Sequence, residues 1–142
     1  MNLDAAEARG RFATGGVARL ATVDAGGQPH LVPVTFALHD DMIVMVVDHK
    51  PKRSTALRRL ANIAVNPSVS LIVDHYADDW NQLWWARADG VARIVEDGSA
   101  WRDAIDQLVA KYGQYRERRP AGPVMLVEVR RWTGWAYAGV SG

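Results

Sequence analysis

The chain has 142 residues, with 17 basic and 16 acidic side chains and no cysteine. This length suits one domain with a buried core over residues 1–142, and the nearly neutral charge excludes a general nucleic-acid or membrane binder. The lack of cysteine excludes disulfides, thiol catalysis and cysteine-ligated metals. The first residues carry no signal-peptide pattern and no apolar run approaches the ~18 residues of a membrane span, so we expect a soluble cytoplasmic protein.

The first part of the chain predicts one helix and a β-hairpin. Residues 4–14 have the apolar spacing of a short helix, which a pair of glycines ends. Residues 17–23 and 30–38 predict two strands joined by a glycine-containing turn at 24–27. Pro33 lacks the N–H that a ladder needs, so it must lie at an edge, at a bulge or where a ligand replaces the missing bond.

A basic segment follows the apolar run 42–47, which predicts a strand buried on both faces. It holds five cations within ten positions and no acid between Asp48 and Asp74: Lys50, Lys52, Arg53, Arg58 and Arg59. Ser54 and Thr55 can cap a helix whose apolar residues recur at three- and four-residue spacing. The positive end of that helix would meet the cations, an arrangement that holds a phosphate. A solvated basic face is the alternative interpretation.

The second half predicts three strands, at 69–75, 83–96 and 124–137. Asp89–Gly90 is either a turn or a bulge within the long middle strand. A helix is predicted at 99–112, with Ser99 as a weak cap, and a polar loop at 113–123. With about six strands and three helices, and strands mostly consecutive, the chain favours a mainly antiparallel barrel over a doubly wound sheet.

The order of strand, basic loop, short helix, Asn-Pro and strand resembles the split-barrel flavin and deazaflavin oxidoreductases, typified by pyridoxamine 5'-phosphate oxidase. Arg58–Arg59, Ile63 and Asn66–Pro67 match the motif of that family, in which the basic pair holds the cofactor phosphate. The resemblance implies a mainly β fold, a six-stranded antiparallel split β-barrel with short flanking helices.

The resemblance also implies where the cofactor binds. The second barrel strand of the family contacts the cofactor ring through its backbone and short polar side chains, so the ring would lie against Val32, Pro33, Val34, Thr35 and Phe36, with Asp79 and Trp80 completing its surroundings. Thr35 is the candidate for direct contact, and a solvent-facing strand threonine is the alternative. The phosphate and tail would be held by Lys50, Lys52, Arg53, Ser54, Thr55, Arg58 and Arg59. Hydride transfer depends on alignment and the cofactor carries the chemistry, so no catalytic residue is expected. A Val-Asp-His pattern repeats at 47–49 and 73–75, but strong metal-binding spacings are absent and no metal is expected.

We expect the cofactor to be the deazaflavin coenzyme F-420 rather than FMN. A phosphodiester followed by glutamates needs several cations along a path, and the basic segment offers five. The segments Asp-His-Lys-Pro-Lys, Asp-Asp-Trp and Leu-Trp-Trp also look like the deazaflavin branch. The expected reaction is hydride transfer from reduced F-420 to an unidentified conjugated acceptor. An FMN-binding protein, a non-catalytic flavin, deazaflavin or haem carrier or sensor, and a surface anion-binding module remain alternatives.

Six tryptophans suggest an interface. Trp84 and Trp85 are adjacent on a predicted strand, so their rings must point to opposite faces. Trp80, Trp132 and Trp135 are further candidates for exposure, whereas Trp101 is expected in the core. Large apolar rings on outer faces indicate a partner subunit, and the family places its cofactor between two subunits. We therefore expect a homodimer with the cofactor at its interface.

Overall fold

The computed structural model describes residues 1–47 and 55–138, with side chains from residue 58 onward in the second range. Within these ranges the chain forms eight strands and four helices: β1 Asn2–Leu3, α1 Ala5–Ala13, β2 Ala18–Val23, β3 Pro29–Val34, β4 Ala37–His39, β5 Met42–Val46, α2 Thr55–Val65, β6 Ser68–His75, β7 Trp84–Val95, α3 Gly98–Lys111, α4 Gly113–Glu117 and β8 Val124–Ala136. A 3-10 turn at Trp80–Gln82 joins β6 to β7. None of the helices in the described ranges is long and apolar enough to span a bilayer.

The strands form one antiparallel sheet in the order β3-β2-β6-β7-β8-β5-β4, with β1 added beside β8. The two edge strands, β3 and β4, are consecutive in the chain and only Thr35 and Phe36 separate them. The sheet therefore curls until its edges meet at this junction, which gives a barrel that is split between β3 and β4. The predicted fold class, mainly antiparallel β with short flanking helices, is confirmed.

The prediction of one strand over residues 30–38 is wrong, because the chain changes its ladder partner at Thr35–Phe36. β3 pairs with β2 up to Val34, whereas β4 pairs with β5 from Ala37 onward. This break, together with the two-residue strand β1, raises the number of strands from the expected six to eight.

Two hydrophobic cores stabilise the barrel. The inner core lies between α1, α2 and the concave face of the sheet, and its fully buried rings are Phe12 and Phe36, with centroids 4.8 Å apart. The second core forms where α3 covers the outer face of β4, β5 and part of β8 through Ile105 and Leu108. Because β5 lies between the two cores, residues 43–47 are all buried, as the apolar run predicted. The rest of the outer face, on β3, β2, β6, β7 and the second half of β8, is not covered by a described helix.

In the second half of the chain, the structure decides three local predictions, those for Asp89–Gly90, for the segment 113–123 and for Ser99. The Asp89–Gly90 signal is a bulge, because the β7–β8 register shifts there. The segment 113–123 is not entirely a loop, since its first five residues form α4. The Arg116 guanidinium donates to the carbonyls of Val109 and Ala110 at 2.9 and 3.0 Å, so the turn after α3 uses a side chain to satisfy the end of that helix. The cap expected at Ser99 is also wrong: α3 begins at Gly98, after Asp97.

Candidate functional site

A buried hydrogen bond fixes α2, the helix that carries the arginine pair. Asn62 is 5% exposed and Thr22 is 1% exposed. The Asn62 Nδ2 group donates to Thr22 Oγ1 on β2 at 3.0 Å, while Ile63 and Leu60 pack into the inner core. The apolar residues of α2 thus pack one face of the helix against the barrel, and the hydrogen bond between Asn62 and Thr22 fixes the position of the helix.

The two arginines of α2 differ in environment. Arg58 is exposed, whereas Arg59 is partly buried because it precedes Asn62 and Ile63 by three and four residues and so shares their face. Burial lowers the pKa of the Arg59 guanidinium from its ordinary value. Its Nε is shielded from solvent and has no hydrogen-bond partner among the described residues. A desolvated cation with an unused donor is costly unless an anion pairs with it, so Arg59 fits a phosphate ligand.

The other predicted phosphate ligands lie wholly or partly outside the described residues. Lys50, Lys52, Arg53 and Ser54 lie outside the described residues. Thr55 is the first residue of α2, but its side chain is also outside the described part. The assignment of these five residues to the phosphate and tail stays a prediction.

The position of β3 at the edge of the sheet accounts for the proline at residue 33. The alternation of side chains along β3 divides the predicted ring-lining residues into two groups. Pro33 lies on an edge strand, opposite Arg19 of β2, which is the first of the three places that the sequence allowed. The side chains of Val32, Val34 and Phe36 are buried in the inner core. Only the backbone of these three residues is therefore available to a ligand at this edge.

Leu31, Pro33 and Thr35 occupy the alternate positions of this segment, away from the inner core. Leu31 is 67% exposed and Pro33 is also exposed, while Thr35 is partly buried. The Thr35 hydroxyl lies 2.8 Å from the hydroxyl of Tyr115. Leu31 was not predicted at this edge, although the period-two alternation of β3 places it on the same side as Pro33 and Thr35. Tyr115 was not predicted either, because it is 80 residues away from Thr35 in the chain.

Asp79 and Trp80 form the turn between β6 and β7. The Asp79 carboxylate accepts a hydrogen bond from the backbone N–H of Asn81 at 3.1 Å and so caps the 3-10 turn. Trp80 is 59% exposed, and its ring meets the edge of Tyr137 at a centroid distance of 6.2 Å. Tyr137 in turn contacts Trp135 at 6.3 Å. The exposed tryptophan thus belongs to a row of aromatic rings at this end of the sheet.

The arginine pair and Trp80 lie at opposite ends of the sheet. The hydrogen bond between Asn62 and Thr22 places α2 beside β2. At this level of the sheet, Ala21 of β2 pairs with Ser70 of β6. His75 lies five residues after Ser70 on β6, a distance of about 17 Å at the rise of a strand, and Trp80 follows beyond. Thr35 does not belong to one end alone. Through β2, its neighbour Val34 lies near Ile72, toward the Trp80 end, whereas through β5 and β8 Ala37 lies level with Arg93, which is beyond Ser68 at the Arg59 end. The β3–β4 junction is therefore where the two staggered edges of the sheet meet.

Packing decides the predictions for Trp84, Trp85 and Trp101, and it shows that Trp132, predicted as exposed, is half-buried against the inner core. Trp84 packs on the inner core beneath the guanidinium of Arg11, 5.6 Å from its centroid, whereas Trp85 lies on the other face with Arg87 at 5.8 Å. Their opposite directions are confirmed. Trp101 packs in the second core as expected, and its Nε1 donates to the carbonyl of Gly122 at 2.9 Å.

The described residues contain no group of three or more side chains that could hold a metal ion. In the second copy of the Val-Asp-His pattern, Asp74 pairs with Arg19 at 3.0 Å and His75 stacks on Trp84 at 6.3 Å. The first copy continues outside the described residues.

Comparisons with known proteins agree with this architecture. The chain is 29% identical over 100 residues to the heme oxygenase HutZ of Vibrio cholerae, covering 68% of this chain and 53% of HutZ, so it spans about half the length of that relative. It is 31% identical over 127 residues to the 5a,11a-dehydrotetracycline/5a,11a-dehydrooxytetracycline reductase of Streptomyces rimosus, covering 87% of this chain and 77% of the reductase. Among solved structures, a FAD-binding protein of Mesorhizobium loti superposes with a TM-score of 0.74 at 18% identity, over 94% of this chain and 95% of that one, which shows a shared fold. The sequence model of pyridoxamine 5'-phosphate oxidase matches residues 5–136, and the chain therefore belongs to the pyridoxamine 5'-phosphate oxidase family of split β-barrels.

Proposed function

We propose that this protein is an oxidoreductase that transfers a hydride from reduced coenzyme F-420 to a conjugated small-molecule acceptor. The observation that carries the proposal is Arg59, a desolvated cation whose Nε has no partner among the described residues. It occupies the position at which the family motif places its phosphate ligand. When bound, the deazaflavin supplies the hydride chemistry, and the chain binds and orients it.

The phosphate and the ring of the cofactor are bound by different residues in this proposal. Arg58 and Arg59 hold the phosphate, with the cations of the preceding segment along the anionic tail. Pro33 and Thr35 face the ring from the β3 edge, and Trp80 offers a flat apolar surface beside it. Alignment of the ring with the acceptor is the main contribution that such a site makes to a hydride transfer.

The identity of the cofactor rests on charge. FMN ends in one phosphate, for which two or three donors suffice, and Arg58 and Arg59 already provide them. Lys50, Lys52 and Arg53 add three cations, which suit the phosphodiester and glutamate tail of F-420. A reductive role is supported by the relative from Streptomyces rimosus, whose name describes a reductase.

We further propose that the active form is a homodimer with the cofactor between the subunits. Arg59 and Trp80 lie at opposite ends of one sheet, whereas a two-fold axis across the outer face would bring the Arg59 end of one copy to the Trp80 end of the other. Two apolar side chains of the outer face, Leu31 and Val91, are 67% and 37% exposed and are available to such an interface. An open groove of about 460 Å³ runs along this face beside Ser70 and Asp89.

Equilibrium titration of the apoprotein with F-420 and with FMN, at two salt concentrations, tests the proposal. Hydrogen bonds to charged groups contribute about 1.5–3 kcal/mol, so Arg59→Ala should weaken F-420 binding by about tenfold or more. The matched control is Arg102→Ala, which removes an exposed arginine from helix α3. Tighter binding of FMN than of F-420 would contradict the deazaflavin assignment, and equal affinity of Arg59→Ala and wild type would remove the phosphate site.

A carrier or sensor of FMN, deazaflavin or haem is the second candidate, because relatives and structural neighbours are described as a heme oxygenase and a FAD-binding protein. Mixing the protein with reduced cofactor and a panel of conjugated acceptors separates the two functions. A carrier binds its ligand without turnover, whereas an oxidoreductase oxidises the reduced cofactor at a rate that depends on the acceptor. Light scattering at micromolar concentration tests the homodimer, and a monomer would contradict it.

A further inference from the structure

The junction between β3 and β4 is the point at which the sheet ladder provides no partners. Val34 is the last residue of β3 that pairs with β2, and Ala37 is the first of β4 that pairs with β5. Thr35 and Phe36 lie between them. Because the Phe36 side chain is fully buried, its backbone groups need partners other than water.

One tyrosine hydroxyl supplies those partners. Tyr112, the residue between α3 and α4, accepts a hydrogen bond from the Phe36 N–H at 3.0 Å. Its own proton can be donated to the carbonyl of Phe36 at 2.9 Å or to that of Gly16 at 2.8 Å. Burial raises the pKa of the Tyr112 phenol, so this hydroxyl is a proton donor across the neutral pH range, as an ordinary tyrosine is. The strand junction is thus held by a side chain from a distant helix end.

A second tyrosine holds the adjacent side chain. The Tyr115 hydroxyl lies 2.8 Å from Thr35 Oγ1, and either oxygen can be the donor. The rings of Tyr112 and Tyr115 meet edge to face at a centroid distance of 5.5 Å, so the two phenols form one unit. A hydroxyl has one donor and two acceptor positions. Thr35 therefore keeps hydrogen-bonding capacity for a ligand after it has bonded to Tyr115.

The neighbouring lysine anchors this unit to the start of the barrel. Lys111 Nζ donates to the carbonyl of Gly15 at 2.8 Å and lies 3.8 Å from the centroid of the Phe36 ring. Together with the Tyr112–Gly16 contact, this bond connects the end of α3 to the residues between α1 and β2. The segment 111–115 therefore determines where the junction lies relative to both neighbouring elements.

We propose that Tyr112 and Tyr115 are positioning residues that orient Thr35 and the β3 edge toward a planar heteroaromatic cofactor ring. This inference rests on the proposed function, in which Thr35 and Pro33 face that ring. Tyr115 selects the direction of the Thr35 hydroxyl, and Tyr112 fixes the backbone on which Thr35 is carried. Both residues act through Thr35 and do not contact the ring themselves.

The experiment measures the affinity for F-420 and for FMN and the absorption spectrum of the bound ring. The variants are Tyr115→Phe, Thr35→Val, the double variant that combines these two changes, and Thr35→Ser. Loss of one hydrogen bond should weaken binding by about fivefold in Tyr115→Phe and change the spectrum of the bound ring. The double variant should bind as weakly as Thr35→Val alone, because Tyr115 acts through Thr35. Thr35→Ser keeps the hydroxyl and should bind like wild type. Tyr76→Phe, which removes the hydroxyl of a tyrosine that is 71% exposed, is the control.

Amide hydrogen exchange of the ligand-free protein provides a readout that does not depend on the cofactor. Tyr112→Phe should accelerate exchange at the Phe36 N–H by about tenfold or more, since that group loses its acceptor. Wild-type affinity and spectra in Tyr115→Phe and Thr35→Val, with weakened binding in Arg59→Ala, would overturn this inference and leave the proposed function intact. Weakened binding in Tyr115→Phe with normal binding in Arg59→Ala would support the inference and remove the phosphate site. A wild-type protein that binds neither cofactor would overturn both.

Discussion

Replacing Thr22 by valine should weaken the attachment of α2 to the barrel and destabilise the protein, with little change in the volume of the core. Thr22 Oγ1 accepts the hydrogen bond from Asn62 Nδ2 at 3.0 Å, and both residues are at least 95% buried. Valine has the same shape but cannot accept, so the amide of Asn62 loses its partner in a region that water does not reach. A buried unsatisfied donor costs about 1–3 kcal/mol, which corresponds to a decrease in Tm of roughly 3–10 °C for a chain of this size.

The control variants distinguish the hydrogen bond from packing. Thr22→Ser keeps the acceptor and loses only one methyl group, so it should cost about 1 kcal/mol. The double variant Thr22→Val with Asn62→Leu removes both polar groups and should be more stable than Thr22→Val alone. Denaturant unfolding measures each free energy, provided that the m-value stays constant. The single variant Asn62→Leu completes the cycle. If Thr22→Val unfolds at the wild-type midpoint, or if the effect of the double variant equals the sum of the effects of Thr22→Val and Asn62→Leu, the bond does not hold α2 in place.

Three further variants test other parts of the fold. Gly90→Ala should destabilise the protein by about 1–3 kcal/mol in denaturant unfolding, because its Cβ would collide with a β8 carbonyl at the bulge. Gly10→Ala on α1, with open space at its Cβ, should instead stabilise by about 0.5–1 kcal/mol, and the opposite order would contradict the packing described here. The hydrogen bond from Trp132 Nε1, and then that from Arg9, lower the pKa of the Asp41 carboxyl. Its carboxylate therefore stabilises the fold above the unfolded pKa of about 4, and this contribution is lost as the pH falls through the lower folded value. Asp41→Asn should reduce the acid dependence of the unfolding midpoint, and an unchanged dependence would refute this role.

The sequence predicted those elements of the fold that depend on local patterns. The apolar run of β5, the glycine-containing turn after β2 and the alternating pattern of the sheet each follow from residues close together in the chain. The edge position of Pro33 was one of three options that the missing N–H allowed, and the bulge at Gly90 was one of two. In both cases the residue type limited the possible structures, and the pairing of the strands shows which one forms.

The errors arise where distant segments meet. The change of ladder partner at Thr35–Phe36 depends on β5 and on Tyr112, which is 76 residues away from Phe36. No local signal marks that break, because Val34-Thr-Phe-Ala37 has the β-branched and aromatic composition of a continuous strand. Helix α4 was read as part of a loop for the same reason, since it packs by Tyr115 against the second core. The burial of Arg59 could be anticipated from its spacing to Ile63 on α2, but the unused donor could not.

Two prolines on β3 make this edge of the sheet unsuitable for a further strand. An unpaired edge normally invites another strand, and proteins protect such edges with proline. β3 carries two, Pro29 and Pro33, and each removes an N–H that a continuing ladder would need. The edge is therefore a poor partner for a further strand, yet its remaining backbone groups and the Thr35 hydroxyl can still bond to a compact group. A ring with donors and acceptors along one side meets that requirement without needing the regular spacing of a strand. In the proposed function, the prolines that disfavour strand addition also leave this edge available for the cofactor.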